Sequence, residues 1–276
     1  MQAFALTLLA MLAFAGNSLL CRMALKATAI DPASFTTLRL VSGAVTLWLI
    51  VRVRSNSAPG RGSWLSALAL FTYAAAFSFA YVSLTAATGA LILFGAVQIT
   101  MIGWGIRSGD RLGRWQVAGV ILAFVGLIGL LLPGLSAPPL AGASLMLVAG
   151  AAWGVYSLRG KGAGDPTRVT EGNFLRAVPF TALLSAALIP ASSIDAPGVG
   201  YAVASGALAS GVGYVLWYAA LRHLRAATAA TIQLSVPAIA AAGGVLLLGE
   251  ELTLRLIAAS AVILGGIAIA ILRAPR

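Results

Sequence analysis

The sequence predicts an all-α integral membrane protein, with ten transmembrane helices arranged as two inverted five-helix repeats around a central cavity. Three observations lead to this fold class. First, 60% of the 276 residues are hydrophobic and only 9% are charged, and the mean hydropathy is +0.98. A soluble domain of this size could not bury so much apolar surface. The other two observations are the spacing of the apolar runs and similarities between the two halves of the chain.

Each apolar run has the length of a membrane-spanning helix. About 20 residues cross roughly 30 Å of hydrocarbon, and a helix pairs every backbone amide within its own segment. The first run lacks the basic start of a secretory signal, so we interpret it as a retained helix. The longest break, residues 159–172, is too short for a soluble domain. The predicted spans lie near residues 2–21, 34–51, 63–83, 87–106, 115–132, 140–158, 173–190, 199–221, 226–248 and 254–272.

The charges between the runs predict the orientation. The net charge is +11, but the cations come in small groups, unlike the continuous basic face of a nucleic-acid-binding protein. One set of alternate breaks holds Arg52, Arg54, Arg61, Arg107, Arg111, Arg114, Arg159, Lys161, Arg168, Arg222, Arg225, Arg273 and Arg276. The other set holds only Arg22, Lys26 and Arg255. Because cation-rich loops stay in the cytoplasm, we expect a cell inner (cytoplasmic) membrane protein with both termini cytoplasmic.

The two halves of the chain align with each other. GDRLGRWQVAGVILAFVG from Gly109 matches GEELTLRLIAASAVILGG from Gly249, and a second match pairs Arg39 with Arg176. These matches predict repeats over 1–136 and 137–276. Because five helices are an odd number, the second repeat enters the membrane from the opposite side. Inverted repeats are typical of carriers with a binding site near the midplane, although a duplication can also serve only to build a stable bundle.

Several short patterns resemble a known family. An aromatic-x-x-Leu step ends the third helix of each repeat, at Tyr81 to Leu84 and Tyr218 to Leu221, and VPAIAAAGGVLLLGEEL lies at Val236–Leu252. These patterns resemble the drug/metabolite transporter superfamily, its EamA-type exporters and, within them, the bacterial amino acid exporters, including those for aromatic amino acids. The first repeat departs from the pattern, with Val97 near the proline position and Asp110 for the glutamate.

The resemblance implies export of small metabolites by alternating access. The expected substrates are amino acids with aromatic or apolar side chains. A multidrug or cation exporter, a lipid or nucleotide-sugar translocator of the same fold, and a passive pore are the alternatives.

Aromatic residues recur on one face of two predicted helices. Tyr73, Phe77 and Tyr81 are spaced by four residues on helix 3, and Tyr214 and Tyr218 repeat part of this pattern on helix 8. A one-sided aromatic stripe can stack on a planar side chain or cation. Packing between helices is the alternative. Further lining candidates, from corresponding parts of helices 1 and 6, are Phe14, Asn17, Ser18, Trp153 and Tyr156.

Helices 4 and 9 are the predicted gates. The stretch TIQLSVPAI, residues 231–239, carries Pro237 near the middle of an uncharged run, where a proline breaks a backbone hydrogen bond and kinks the helix. Gln233 lies one turn away and is predicted to line the cavity. On helix 4, Gln98 is a second lining candidate, with contact between helices as the alternative. Gly95 and Gly103 flank Gln98 as candidate hinge positions.

The charged residues favour facilitated movement without proton coupling. All seven acids fall in the breaks, and the single histidine, His223, lies at a predicted basic rim. Ion-coupled carriers usually place an ionisable group within the span. Arg39 and Arg176 lie just inside their helices, and we expect both to snorkel to the interface. The alternative is that they attract a substrate carboxylate at the two mouths.

The sequence carries no signature of an enzyme. It has no phosphate-binding loop, no nucleophile elbow and no His or Cys spacing for a metal, and Cys21 is its single cysteine. We therefore expect no catalytic residues, no metal and no cofactor. The expected partners are a small-molecule substrate and membrane lipids, with no nucleic acid and no obligatory protein partner, as a monomer or homodimer. Small residues on helices 5 and 10 predict close packing between repeats or subunits: Ala118, Gly119, Gly126, Gly129, Ala258, Ala259, Gly265 and Gly266.

Overall fold

Nearly all of the described chain is helical. The structure, a computed structural model, describes residues 2–54, 60–109, 113–134, 137–160, 164–221 and 232–272. The ten helices within these described ranges confirm the predicted all-α membrane fold, while the inverted relation of the two repeats stays a prediction. The helices are α1 (Gln2–Ala27), α2 (Pro32–Val53), α3 (Trp64–Tyr81), α4 (Ala86–Arg107), α5 (Arg114–Leu131), α6 (Leu140–Gly160), α7 (Pro166–Ala187), α8 (segments Ala196–Ala204, Ser205–Val212 and Gly213–Leu221), α9 (Ser235–Leu248) and α10 (Leu254–Leu272).

The helices have the dimensions and composition of membrane spans. Eight of them are long and apolar enough to cross a bilayer. The exceptions are α7, which carries Arg168, Glu171 and Arg176, and α9, whose described part has 14 residues. The protein is therefore a multi-pass membrane protein.

Helix α7 begins earlier than the sequence predicted. The apolar run suggested a start near residue 173, but the helix starts at Pro166. Asp165 caps it by accepting a hydrogen bond from the backbone N–H of Arg168 at 3.0 Å, and a proline in the first turn costs no backbone bond. The break predicted over 159–172 is correspondingly shorter. The Asp165–Pro166 capping pattern is present in the sequence. The apolar run nevertheless starts later, because the charged Arg168 and Glu171 occupy the first turns.

Helices α2 and α7 begin in the same way. Each has an Asp–Pro pair at its start, and a threonine donates to the proline carbonyl at 2.7 Å, from Thr36 to Pro32 and from Thr170 to Pro166. Arg39 lies eight residues after the Asp31 cap, whereas Arg176 lies eleven residues after the Asp165 cap. The two arginines therefore occupy different turns of their helices, although the sequence alignment pairs them.

The helices pack in pairs that relate the two halves of the chain. Helix α5 packs chiefly on α10, and both touch the remaining bundle through α4. Helix α2 packs on α7, α3 on α6, and α1 on α8. Helices α4 and α9 pack on each other; α6 also contacts α4, and α1 also contacts α9. The described core thus places α1, α3, α4, α6 and α8 around the middle of the bundle.

Small residues permit the closest of these contacts. A Cβ atom added at Gly119 would meet Gly266 O and would lie 2.6 Å from Ala270 N, so α5 and α10 touch through their backbones. Gly126 packs on Ile263 in the same interface. Gly129 and Gly265, in contrast, face open space. The predicted packing role therefore fits Gly119, Gly126 and Gly266, and does not fit Gly129 or Gly265.

The middle of α8 departs from regular α-helix. Ser205–Val212 forms a π-helical segment, which the sequence analysis did not predict. Its small residues pack tightly on α2, because Gly206 lies against the Arg39 backbone and the Ser42 hydroxyl, and Gly211 lies against Thr46. A π-helical segment inside an α-helix often occurs at a functional site. This segment contributes Ala209 to the cavity described below.

Hydrogen bonds between loops define the two ends of the bundle. At one end, here called the acidic end, the turns after α1, α3, α5, α7 and α9 meet. Asp31 accepts from the backbone N–H of Ser193 at 3.0 Å, and Asp195 accepts from the N–H of Ala29 at 3.2 Å. Burial raises the pKa of Asp31, but hydrogen bonds from Ser34, Ser193 and Ala33 outweigh it and hold the pKa below its usual value.

The opposite end, here called the basic end, joins α2 and α3 to α6 and α7. Arg54 donates to the Thr167 hydroxyl at 2.9 Å, and the Ser63 N–H donates to the Asn173 side chain at 2.8 Å. Several residues of the predicted orientation and repeat patterns lie outside the described residues: Asp110, Arg111, Lys161, Arg222, His223, Arg225, Arg273 and Arg276.

Candidate substrate cavity

A small cavity lies between α1, α3, α4, α6 and α8. Its volume is about 20 Å³, which is room for about one water molecule. No amino acid fits this volume, so the lining side chains must move before a solute can enter. The cavity is lined by Phe14, Asn17, Ser18, Tyr73, Phe77, Leu93, Phe94, Trp153, Ala209 and Tyr214.

Trp153 is at the centre of the aromatic wall. Its ring centroid lies 4.8 Å from that of Tyr73 and 5.2 Å from that of Tyr214. It also stacks on Tyr156, with centroids 5.4 Å apart and an angle of 30° between the rings. Tyr73 in turn lies 5.3 Å from Phe77. The two halves of the chain therefore contribute to one continuous aromatic surface, which suits an apolar or aromatic side chain.

Polar groups occupy one side of the same cavity. The Tyr73 hydroxyl accepts hydrogen bonds from Asn17 Nδ2 at 3.2 Å and from Arg39 Nη2 at 3.1 Å. The Asn17 carbonyl oxygen accepts from the Ser205 hydroxyl at 2.7 Å. This network joins α1, α2, α3 and the π-helical segment of α8. It positions Tyr73 and Asn17, two polar residues of the cavity lining, through hydrogen bonds to residues that are distant in sequence.

Arg39 is buried within the bundle, which contradicts the expectation that it snorkels to the interface. Its exposed fraction is 1%. The guanidinium lies 5.2 Å from the Tyr73 ring centroid and 4.9 Å from that of Phe77, behind the wall that these rings form. Arg176 is half-buried and donates to the Gly172 carbonyl at 2.8 Å, back toward the basic end. The position of Arg176 fits the snorkelling interpretation, and the position of Arg39 does not.

The structure brings together seven of the twelve predicted substrate-binding residues. They are Phe14, Asn17, Ser18, Tyr73, Phe77, Trp153 and Tyr214. The other five, which lie outside the lining, are Tyr81, Gln98, Tyr156, Tyr218 and Gln233. Leu93, Phe94 and Ala209 also line the cavity but were not predicted, because a single apolar or small residue in an apolar helix carries no distinguishing pattern.

Two of the predicted residues outside the lining support the aromatic wall. Tyr81 packs edge-on against Phe77 with ring centroids 4.7 Å apart, and its hydroxyl donates to the Ala86 carbonyl at 3.4 Å. Tyr156 stacks on Trp153 and accepts from Asn173 at 3.5 Å. Gln98 is buried in α4, whereas Gln233 and Tyr218 are half-buried.

Pro237 lies next to an interruption of the ninth predicted span, residues 226–248. Residues 232 and 233 are helical, Leu234 forms a turn, and α9 starts again at Ser235. Pro237 therefore lies in a first helical turn, where its missing N–H has no helical partner to lose. Gly95 and Gly103 show no packing that requires a glycine, since a Cβ atom at Gly95 would make an ordinary 3.7 Å contact and Gly103 faces open space.

An ion pair joins α1 to the turn after α9 at the acidic end. Arg22 Nε donates to Glu250 Oε1 at 3.0 Å, and both side chains are largely buried. Arg22 also donates to the Tyr81 and Val82 carbonyls at 2.8 and 3.0 Å, while Glu250 Oε2 accepts from the Ala86 N–H at 2.8 Å. The pair thus fixes the turn between α3 and α4 to α1 and to the turn after α9. Glu250 lies in a predicted break, and its burial was not predicted from the sequence.

A second cavity lies at the acidic end. It has a volume of about 180 Å³ and is lined by Ser83, Leu84, Thr85, Thr88, Leu130, Ala137, Pro138, Pro139, Glu251, Thr253 and Leu256. None of these residues was predicted as a site residue. Its position between the turns after α3, α5 and α9 makes it a candidate vestibule on this side of the bundle.

Comparison with known proteins identifies the family. The model of the EamA-like transporter family matches residues 140–272. An uncharacterized protein of Pseudomonas aeruginosa, PA1977, is 58% identical over 272 residues, which cover 98% of this chain and 94% of that protein. The chain belongs to the EamA-like transporter family. The resemblance seen in the sequence is thereby confirmed, without support for the aromatic amino acid branch.

Two other comparisons cover about half of the chain or show its fold alone. The threonine/homoserine exporter RhtA of Salmonella typhimurium is 39% identical over 153 residues, which are 52% of this chain and about half, 50%, of the exporter. A crystal structure with 21% sequence identity covers 99% of this chain and 98% of its own, with a TM-score of 0.68. That similarity supports the ten-helix fold.

Proposed function

We propose that this EamA-family protein exports amino acids with an aromatic or otherwise apolar side chain. The observation that carries the proposal is the cavity, in which Tyr73, Phe77, Trp153 and Tyr214 form an aromatic wall beside the polar Asn17 and Ser18. An aromatic wall fits an apolar side chain, and polar groups on one side fit the backbone groups of an amino acid. The similarity of half the chain to a threonine/homoserine exporter also supports an amino acid substrate.

Export would proceed by alternating access between the two ends. The Arg22–Glu250 pair closes the acidic end, and the cavity has room for about one water molecule. These features support a conformation closed at the acidic end. Opening would require this pair to separate and the aromatic side chains to move apart. We propose that α4 and α9 carry the motion, with Gly95, Gly103 and Pro237 as flexible positions.

Two inverted repeats, 1–136 and 137–276, would supply the two alternating states. The support comes from the matching starts of α2 and α7, and from packing in which α1 contacts α8 as α3 contacts α6. Such a relation lets corresponding helices of the two repeats exchange their conformations between the two states. We also propose that both termini face the cytoplasm in the inner membrane. Labelling of single cysteines placed near each terminus in intact cells tests this orientation.

Counterflow in proteoliposomes tests the proposed function. The purified full chain is loaded with unlabelled solute, and uptake of labelled phenylalanine, methionine or threonine is followed. We expect saturable exchange of at least one of these amino acids. Exchange of quaternary ammonium compounds or nucleotide sugars in place of amino acids would contradict the proposal, and flux that rises linearly with concentration would indicate a pore.

The same vesicles test the proposed absence of proton coupling. We propose facilitated movement because the described acids lie outside the helices, except Glu171 in the second turn of α7, and the buried Glu250 is paired with Arg22. Net accumulation of the amino acid should follow its own gradient and should not respond to an imposed pH gradient. Uptake against the gradient that an uncoupler abolishes would contradict this part of the proposal.

A further inference from the structure

Buried hydrogen-bond donors without acceptors occur in α2 and in the π-helical segment of α8, two elements that pack on each other. Arg39 makes one hydrogen bond, from Nη2 to the Tyr73 hydroxyl, and its Nε and Nη1 atoms have no partner in the described part of the chain. The Ser210 hydroxyl, in the π-helical segment, is also buried without a partner there. Buried donors are nearly always paired, so the guanidinium of Arg39, which lies at the aromatic wall, can donate to a further acceptor.

Tyr73 adds a further donor beside Arg39. Its hydroxyl oxygen already accepts from Asn17 and Arg39. A hydroxyl that accepts two hydrogen bonds still has its own proton to donate. Among the described residues, no acceptor of that proton is found. Tyr73 therefore lies between Arg39 and the cavity, and its hydroxyl proton can still be donated.

The charge of Arg39 is also uncompensated. Its guanidinium is always protonated in a protein, and its exposed fraction is 1%. Within the described chain, no carboxylate lies within 4 Å of it. The faces of Tyr73 and Phe77, at 5.2 and 4.9 Å, supply only a cation–π interaction. A cation buried away from water is costly unless an anion or several acceptors meet it.

We propose that Arg39, together with the Tyr73 hydroxyl, is the group that recognises the carboxylate of the solute. A carboxylate supplies both the negative charge and the paired acceptor oxygens that the planar guanidinium fits. Rotation of the Tyr73 ring exposes Arg39 to the cavity and lets the carboxylate accept from both groups. The apolar side chain of the solute then lies against Trp153 and Tyr214.

This inference rests on the proposed function, and it makes that function more specific. The solute must carry a carboxylate, so amino acid amides and simple amines are poor substrates. Arg39 lies eight residues into α2 from its cap and deep in the bundle. The proposed contact between Arg39 and the carboxylate therefore lies at the cavity. It differs from the attraction of a carboxylate at the two mouths of the bundle.

The test compares amino acids with their amides in the counterflow assay. Phenylalanine and phenylalaninamide share the amine and the ring, and only the acid has the carboxylate. In the wild type, we expect the acid to inhibit exchange at about 10- to 100-fold lower concentration than the amide, as expected for a charge-assisted hydrogen bond. In Arg39→Gln this preference should fall to near unity. Equal inhibition by acid and amide in the wild type, or an unchanged preference in Arg39→Gln, would overturn the proposal.

Two further variants complete the experiment. Arg52→Gln is the matched control, because Arg52 is on the same helix but is exposed and packs on Trp48. It should keep the wild-type preference. If Arg39→Gln does not yield folded protein, Arg39→Lys keeps the charge and loses the planar fork. It should lower the preference severalfold, and an unchanged preference there would also overturn the proposal.

A binding measurement separates this proposal from the proposed function. Phenylacetate has the ring and the carboxylate but no amine. The chain has six tryptophans, so the part of the fluorescence quenching that disappears in Trp153→Leu reports binding near Tyr73. Quenching in the wild type that is lost in Arg39→Gln would support the carboxylate site even if no amino acid is exchanged. Amino acids could also be exchanged without quenching by phenylacetate and without preference for the acid over the amide. That result would support the proposed export function and contradict the proposed role of Arg39.

Discussion

Arg22 and Glu250 form an ion pair of 3.0 Å between the first helix and the turn before the last helix. They are separated by 228 positions in the chain. Glu250 has an exposed fraction of 8% and also holds the backbone at Ala86, where α4 begins. Because one carboxylate bridges a cation and a helix start, the acidic end can open only if both contacts break. This makes the pair the strongest candidate for a gate.

Glu250→Gln should open the acidic end. The substitution removes a charge-assisted hydrogen bond and leaves Arg22 without its partner, so the closed state loses about 1.5–3 kcal/mol, roughly a 10- to 100-fold shift in population. Cys21, the single cysteine, is buried beside Arg22 and serves as a native reporter. Its reaction with a membrane-impermeant maleimide should accelerate by a similar factor. Labelling is measured on the purified protein in nanodiscs.

Glu251→Gln is the control for this experiment. Glu251 is adjacent in sequence but exposed, so its loss should leave Cys21 labelling at the wild-type rate. Equal labelling of Cys21 in the wild type and in Glu250→Gln would show that the ion pair does not hold the acidic end closed.

Trp153→Leu should weaken exchange of aromatic amino acids. The tryptophan contacts Tyr73, Tyr156 and Tyr214 at ring-centroid distances of 4.8 to 5.4 Å, and an aromatic contact is worth about 0.5–1.5 kcal/mol beyond its buried area. We expect the concentration for half-maximal counterflow of phenylalanine to rise severalfold, with a smaller change for threonine. Trp104→Leu is the comparison, because Trp104 is 55% exposed. Similar changes in both variants would argue against a role of Trp153 in the cavity.

The sequence predicted the helices better than it predicted their ends. Length and apolarity identify ten spans because hydrocarbon demands both. They misplace the start of α7, where Asp165 and Pro166 determine the first turn and charged residues follow. The π-helical segment Ser205–Val212 was also missed, since it depends on tight packing of Gly206 against α2.

Periodicity located part of the cavity, and tertiary contacts determined the rest. The aromatic residues on α3 share a face, but only Tyr73 and Phe77 reach the cavity, while Tyr81 turns to the Ala86 carbonyl. The position of Arg39 could not be predicted from its distance to a helix end. Its burial depends on α3 and the π-helical segment of α8 closing over it, and a single sequence does not specify how these helices meet.

Gly119→Val and Gly129→Val should affect stability differently. A Cβ atom at Gly119 would lie 2.6 Å from Ala270 N, so α5 and α10 must separate, which costs about 1–3 kcal/mol. A Cβ atom at Gly129 meets nothing within 4 Å, and replacing a helical glycine there is neutral or slightly stabilising. Thermal unfolding of the detergent-solubilised protein measures both. Equal melting temperatures for the two variants would exclude the close α5–α10 contact.

Pro237→Ala should slow transport without destabilising the protein. The helical run is interrupted at Leu234, and Pro237 lies in the first turn after the interruption. An alanine there supplies the missing N–H and lets the helix continue through Leu234, so a flexible position becomes rigid. We expect the maximal counterflow rate to fall severalfold, with a melting temperature equal to or above that of the wild type. Pro179→Ala removes an exposed proline inside α7 and should leave the rate unchanged. A normal rate in Pro237→Ala would mean that α9 moves as a rigid element, and the hinge would then have to lie in α4.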